Sequence, residues 1–269
     1  MLKDITLGQY FPGNSPVHRL DPRTKLIMLV VYIVALFCAV SWVSYAVVFA
    51  FLSSTVAISK IPVKAIVRGM KPLVLILVFT GVLNLFFTVG EGEPLVDFWI
   101  ITIYAEGIVR ALFMVIRILM LISGTFLLTY TTSPISLTDG LERLLNGLKK
   151  LHVPVHELAM MMSIALRFIP TLIEETDKIM SAQKARGADF ESGNLMNRVK
   201  ALVPILVPLF ISAFRRADEL ATAMECRCYH GGEGRTKLHV LKYEGRDYAA
   251  LALGAAALAA VLTLRRFGL

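Results

Sequence analysis

The sequence predicts an all-α integral membrane protein with about five transmembrane helices and long amphipathic cytoplasmic helices that cross each other. Three observations predict it. The 269 residues are 56% hydrophobic, with a mean hydropathy of +0.67 and 18% charged residues, too apolar for an ordinary soluble domain. Several apolar stretches approach the roughly 20 residues that cross a ~30 Å hydrocarbon core. Between residues 132 and 246 the continuous apolarity gives way to the three-and-four spacing of amphipathic helices. The formal charge of +8 reports orientation rather than nucleic-acid binding, because Lys and Arg concentrate in cytoplasmic loops. Cys38, Cys226 and Cys228 form no spaced disulfide framework.

Residues 1–23 are polar, carry Asp4 and Asp21, and lack the early apolar run of a cleavable signal. In Leu20-Asp21-Pro22-Arg23-Thr24-Lys25-Leu26, Asp21 suits a helix cap, Pro22 its first turn, and Arg23 and Lys25 the membrane boundary. Residues 26–59 hold no charge, and as one helix of roughly 50 Å they overshoot a single crossing. Two short spans are expected, turning at Ser41-Trp42-Val43-Ser44, with Trp42 and Tyr45 at an interface. Lys60, Lys64, Arg68 and Lys71 precede a third span at 72–89, and the next loop reverses sign with Glu91, Glu93, Asp97 and Glu106. The positive-inside rule therefore places 60–71 and the N-terminus in the cytoplasm and 90–106 outside.

A fourth span, 107–131, carries Arg110 near the outer interface and Arg117 roughly 15 Å deep. A buried arginine needs a partner, and two readings of Arg117 stay open: an internal structural pair, or an intramembrane contact with another subunit. The basic segment 231–246, with Arg235, Lys237, Lys242 and Arg246, is cytoplasmic, and the alanine-rich residues 248–264 form the last span, which puts the C-terminus outside. The expected blocks are a membrane domain at 1–132 with four helices, a cytoplasmic-side domain at 133–246, and the final transmembrane helix at 247–269.

Within the middle block, Thr132-Ser133-Pro134 opens a short helix striped by Leu137, Leu141, Leu144, Leu145 and Leu148. A rod of roughly 50 Å follows over 155–187, kinked at Pro170, and a second over 197–228, kinked at Pro204 and Pro208. The rods form a loose repeat. Aligned on Arg186 and Arg227, they match Asp177 with Asp218 and Ala182 with Ala223, and they set Glu174-Glu175 against Arg215-Arg216. Opposite charges at equal distance from two arginine tips predict inter-helix charge pairs where the rods cross.

Several apparent sites fail on chemistry. His152-Val153-Pro154-Val155-His156-Glu157 has histidines four apart, but a zinc-protease helix needs Glu where Val153 stands and no Pro154. Glu174-Glu175 point about 100° apart and lack any accompanying metal or nucleophile set. Cys226, Cys228 and His230 fall short of the four ligands of a closed zinc site. Gly231-Gly232-Glu233-Gly234-Arg235-Thr236 resembles a phosphate loop, but Tyr229 holds the first glycine position and Arg235 replaces the lysine. No catalytic, metal or cofactor site and no enzyme activity are expected.

Jointly, residues 20–26, Thr131-Thr132-Ser133-Pro134, Ala165-Leu166-Arg167-Phe168-Ile169-Pro170, Ala182-Gln183-Lys184-Ala185-Arg186-Gly187 and Arg216-Ala217-Asp218-Glu219-Leu220-Ala221 closely resemble the transmembrane coupling subunits (T components) of energy-coupling factor (ECF) vitamin importers. The resemblance covers most of the chain. It implies that Arg186, with Ala185 and Gly187, and Arg227, with Cys226 and Cys228, each dock into one of two ABC-type ATPase subunits, as a homo- or heterodimer. The second tip departs from the family's Ala-Arg-Gly form. ATP is then bound by those partners and not by this chain, and a separate membrane S component carries the vitamin. The implied location is the cell membrane, with the lipid bilayer as a further partner and no nucleic acid. The alternative is a self-contained secondary transporter, for which Arg117 and Asn84 are the midplane polar candidates.

Overall fold

Three helices meet through backbone carbonyls and carboxylates rather than through apolar contact alone, and these polar ties fix the architecture. The computed structural model describes residues 10–87, 96–98, 101–188, 190, 195–231 and 240–267. Expectations resting on Glu91, Glu93, Arg235 and Lys237, on most of the loop after Ala188, and on the glycine-rich stretch after Gly231 lie outside them. The elements are α1 (Pro22–Cys38), α2 (Trp42–Ser59), α3 (Val63–Met70), a 3-10 turn (Lys71–Leu73), α4 (Val74–Phe87), β1 (Val96–Phe98), β2 (Ile101–Ile103), α5 (Ala105–Thr131), α6 (Pro134–Leu145), a 3-10 stretch (Asn146–Leu151), α7 (Val155–Ala185), α8 (Leu195–Cys226) and α9 (Gly245–Arg266). By their contacts they fall into two units, one of residues 142–240 and one of 8–141 with 241–269, so the boundary lies within α6.

In the second unit, Asp21 caps α1 by accepting the Arg23 N–H at 2.8 Å, and the Arg23 guanidinium closes on both Asp21 oxygens. Asp247, 2% exposed, accepts the N–H of Asp21 at 2.9 Å and of Glu244 at 2.8 Å. With Glu244 it forms the capping box that starts α9. The N-termini of α1 and α9 are thus tied side by side. Lys25 Nζ donates to the Thr131 carbonyl at the end of α5, 2.8 Å away, so α5 runs antiparallel to α1. Tyr32 donates to the Met120 carbonyl, and at the far end Arg117 donates to Tyr45 Oη at 2.8 Å and to the Ala39 carbonyl at 3.2 Å.

Between these ties lies the core, where Tyr32, Leu36, Val48, Met120 and Val261 join α1, α2, α5 and α9. A smaller cluster, Ile61, Ile66, Leu127 and Tyr130, seats α3 on α5. Helix approach depends on two missing side chains. A Cβ on Gly124 would stand 2.5 Å from the Tyr32 ring, and one on Gly254 would stand 2.5 Å from Met28 Sδ.

Five helices among the described residues are long and apolar enough to cross a membrane: Trp42–Ser59, Val63–Phe86, Glu106–Thr131, Val155–Ala185 and Gly245–Arg266. The number matches the sequence expectation but the membership differs. At 17 residues α1 is one residue shorter than α2 and stands at the low end of the length that crosses a bilayer. The rod α7 qualifies as the least apolar of the five, because residues 156–173 carry only Glu157 and Arg167 as charges. The third span also begins earlier than residue 72, since the 3-10 turn at Pro72 joins α3 to α4 without a break. The loop before α5 holds a short antiparallel hairpin that pairs Val96 with Ile103, a strand pair that hydropathy alone does not reveal.

Two predictions follow from this packing. Gly124→Ala should destabilise the protein by roughly 1–3 kcal/mol, as overpacking does, whereas Gly147→Ala, with no atom within 4 Å of its added Cβ, should leave the thermal midpoint in detergent unchanged. The second concerns His18, which accepts from Ser15 Oγ at Nδ1 and donates from Nε2 to the Phe11 carbonyl. Burial, aided by the Lys25 charge and opposed by the Phe11 hydrogen bond, lowers its pKa. The folded form therefore binds fewer protons than the unfolded one, so this contribution is complete above about pH 6.5 and is lost as the pH falls below it. Hydrogen exchange at the Phe11 amide, which bonds the Tyr130 carbonyl, should lose protection below that pH after correction for intrinsic rates, and His18→Gln should flatten the dependence.

Candidate functional site

Residues 142–240 are built around α7 and α8, of 31 and 32 residues, each a rod of nearly 50 Å. Helices of this length need not end alike, but these two do. In α7 the Gly187 N–H bonds the Lys184 carbonyl at 3.0 Å and the Ala188 N–H bonds the Gln183 carbonyl at 3.0 Å, with Gly187 at φ +84°. In α8 the Cys228 N–H bonds the Glu225 carbonyl at 2.8 Å and the Tyr229 N–H bonds the Met224 carbonyl at 3.0 Å, with Cys228 at φ +56°. Both are Schellman motifs, in which a left-handed residue turns the chain and its neighbours' N–H groups satisfy the last carbonyls. Arg186 and Arg227 occupy the same position in each, the residue before the left-handed one.

The cap explains the small neighbours of the first tip and the oddity of the second. The left-handed position favours glycine, and a residue with a Cβ there costs about 1 kcal/mol or more. Gly187 meets that demand, whereas Cys228 bears the cost. Ala185, Arg186 and Gly187, like Cys226, Arg227 and Cys228, are all exposed. Among the described residues neither guanidinium has a carboxylate partner. Each tip therefore presents a charged fork with five donors on a turned backbone that bonds two of its own last carbonyls, an arrangement suited to clamping a carboxylate or a set of carbonyls.

Behind the tips, Arg216 Nη2 lies 2.9 Å from Glu175 Oε2. Among the described residues Glu174 and Arg215 form no matching pair. Glu175 and Arg216 each stand eleven residues before a tip arginine, so the joined point has arms of about 16 Å on both rods. The repeat extends to a detail that sequence comparison alone passes over. Ser181 donates to the Asp177 carbonyl at 2.7 Å, and its counterpart Thr222 donates to the Asp218 carbonyl at 3.0 Å.

The remaining singled-out residues have internal roles. Arg117 bonds Tyr45 and Ala39 within its own unit, and Asn84 donates to the Thr80 carbonyl. His156 Nδ1 lies 3.0 Å from Glu142 Oε1, joining the start of α7 to the end of α6, and no group of metal ligands occurs among the described residues. Asp247 is the structural residue that the sequence reading passes over, although the Glu244-x-x-Asp247 spacing of a capping box carries the signal.

The sequence profile of the CbiQ family, described as cobalt transport protein, matches residues 13–238. The chain is 56% identical to the energy-coupling factor transporter transmembrane protein EcfT of Clostridium kluyveri over 250 residues, 93% of each chain. It is 54% identical to the protein of that name in Acidaminococcus fermentans over 269 residues, covering 100% of this chain and 99% of the other. The Bacillus subtilis protein of that name is 51% identical over 247 residues, 92% of this chain and 93% of the other.

Glu175→Arg and Arg216→Glu should each lower stability by up to about 1 kcal/mol, and the double reversal should recover most of the loss. A double variant no better than the singles in a thermal melt would exclude the pairing. Cys228→Gly should stabilise the end of α8 by about 1 kcal/mol by relieving the left-handed cysteine, seen as slower hydrogen exchange at the amide of residue 229.

Proposed function

We propose that this chain, which belongs to the CbiQ family and resembles ECF transporter transmembrane proteins along almost its whole length, couples ATP hydrolysis in two partner ATPases to uptake through a separate substrate-binding subunit. One observation carries the reading: two rods end in the same cap, and each presents an exposed arginine at the same position. A matched pair suits a pair of related ATPases, one tip to each. The chain itself performs no catalysis and binds no nucleotide.

In this reading, closure of the ATPase pair on ATP moves the two tips together, and the joined point at Glu175 and Arg216 converts tip displacement into a change of angle between the rods. The apolar faces of the rods carry that change to the S component. Met161, Met162 and Met196 lie exposed on those faces, and flexible thioethers repack readily against different partners. The substrate resides in the S component, so its class, a vitamin or other micronutrient, is set outside this chain. The surplus of Lys60, Lys64, Arg68 and Lys71 over acids supports a cytoplasmic placement for that stretch, and with it a cytoplasmic N-terminus and an extracellular C-terminus. The secondary-transporter alternative gains no support, since Arg117 and Asn84 already bond groups of this chain.

Arg186→Ala and Arg227→Ala should each weaken ATPase docking by about 2–4 kcal/mol, as loss of a desolvated charged anchor does. Affinity purification of the tagged chain from its native membrane should recover both ATPases with the wild type and neither with the double variant. Full recovery with the double variant would contradict the assignment.

A further inference from the structure

Within the unit of residues 8–141 and 241–269, α2 and α9 part along one half of their length and leave a cavity of about 340 Å³ backed by α1 and α5. That is about twice the ~150 Å³ at which an apolar cavity already takes up benzene. Met28, Leu29, Phe51, Leu52, Leu127 and Leu128 line its depth, a surface that repels water. Its floor closes where Gly254 lets α9 approach Met28. Ile58 on α2 and Leu253 on α9, both more than half exposed, line it as well, so it opens sideways between two membrane-spanning helices.

The charged groups gather at one end. Lys25, Thr131 and Arg246 line the cavity there, next to the stretch from Pro16 to Leu20. Lys25 is 7% exposed, and among the described residues its ammonium donates two hydrogen bonds, both to carbonyls, with no carboxylate within ion-pair distance. The neighbouring acids are engaged elsewhere: Asp21 with Arg23, Glu244 with Arg246, and Asp247 with two backbone N–H groups. Asp247 and Asp21 lie within electrostatic reach of Lys25, but its third N–H has no acceptor among the described residues.

We propose that this cavity is a phospholipid site: one acyl chain of an anionic phospholipid fills its apolar depth, and the phosphate sits at its mouth, against Arg246 and the remaining N–H of Lys25. The two ends of the cavity ask for the two ends of one amphiphile. The apolar depth selects the chain, and the ammonium with one N–H unspent, beside Arg246, selects an anionic head. The site is independent of the ATPase-docking tips, since none of its residues belongs to them.

Native mass spectrometry of the delipidated full chain, titrated with dioleoyl phosphatidylglycerol or dioleoyl phosphatidylcholine, tests the proposal. One phosphatidylglycerol should be retained per chain, with about a fivefold or greater preference over phosphatidylcholine, the order of magnitude expected of one basic contact. Arg246→Gln should remove most of that preference, and Ala250→Leu, which fills the cavity, should remove retention of either lipid. Absence of a stoichiometric lipid, equal retention of the two lipids by the wild type, or undiminished retention by folded Ala250→Leu would each overturn it. The wild-type comparison of the two lipids decides the question even if a variant fails to fold.

Discussion

A helix leaves its last carbonyls without partners, and this chain meets that constraint in two ways. At α1 and α5 some of those carbonyls are satisfied from other segments, whereas α2 and α9 close locally at Lys60 and Phe267. Lys25 reaches the Thr131 carbonyl, Arg117 reaches the Ala39 carbonyl, and the Phe11 N–H reaches the Tyr130 carbonyl. Each bond consumes a donor and ties two segments together. At the ends of α7 and α8 two of the last carbonyls are bonded by the turned backbone itself, so the arginines there are not spent on them. Lys25 and Arg117 build the scaffold, whereas Arg186 and Arg227 stay exposed at their tips.

The same contrast gives the motif set a physical meaning. Residues 20–26 and 131–134 are separated by more than a hundred positions, yet Lys25 and Thr131 touch, which makes both stretches parts of one joint. Arg186 and Arg227 make no such joint, and their helices are joined farther back through Glu175 and Arg216. Because that ion pair is partly exposed, its strength is modest and sensitive to salt. A weak joint with equal arms suits a moving crossing better than a rigid buried one would.

Much of this is legible in the sequence because it is local. Apolar length reveals the spans, three-and-four spacing reveals the rods, and a matched offset of 41 residues reveals the paired tips. What escapes is long-range or conformational. Asp247 bonding Asp21 across 226 positions leaves no trace in periodicity beyond its capping-box spacing. The bonds of Arg117 to Tyr45 and to the Ala39 carbonyl, 72 and 78 positions away, leave no trace in hydropathy. The cysteine after Arg227 reads as a small neighbour, whereas the backbone shows a left-handed position that glycine would fill more cheaply. Hydropathy sorts α7 with the amphipathic rods or with the spans according to how two charges are weighed.

The account stands or falls on whether the two tips move as a pair. With Cys38→Ser, Cys226→Ser and Cys228→Gly removing the native thiols, and Ser181→Cys and Thr222→Cys placing new ones at matched exposed positions one turn behind the tips, spin labels report the separation of the tips by double electron–electron resonance. In the complete complex with its ATPases, the account predicts a distance distribution that shifts when ATP binds and returns after hydrolysis. A single distribution that ignores nucleotide would contradict it.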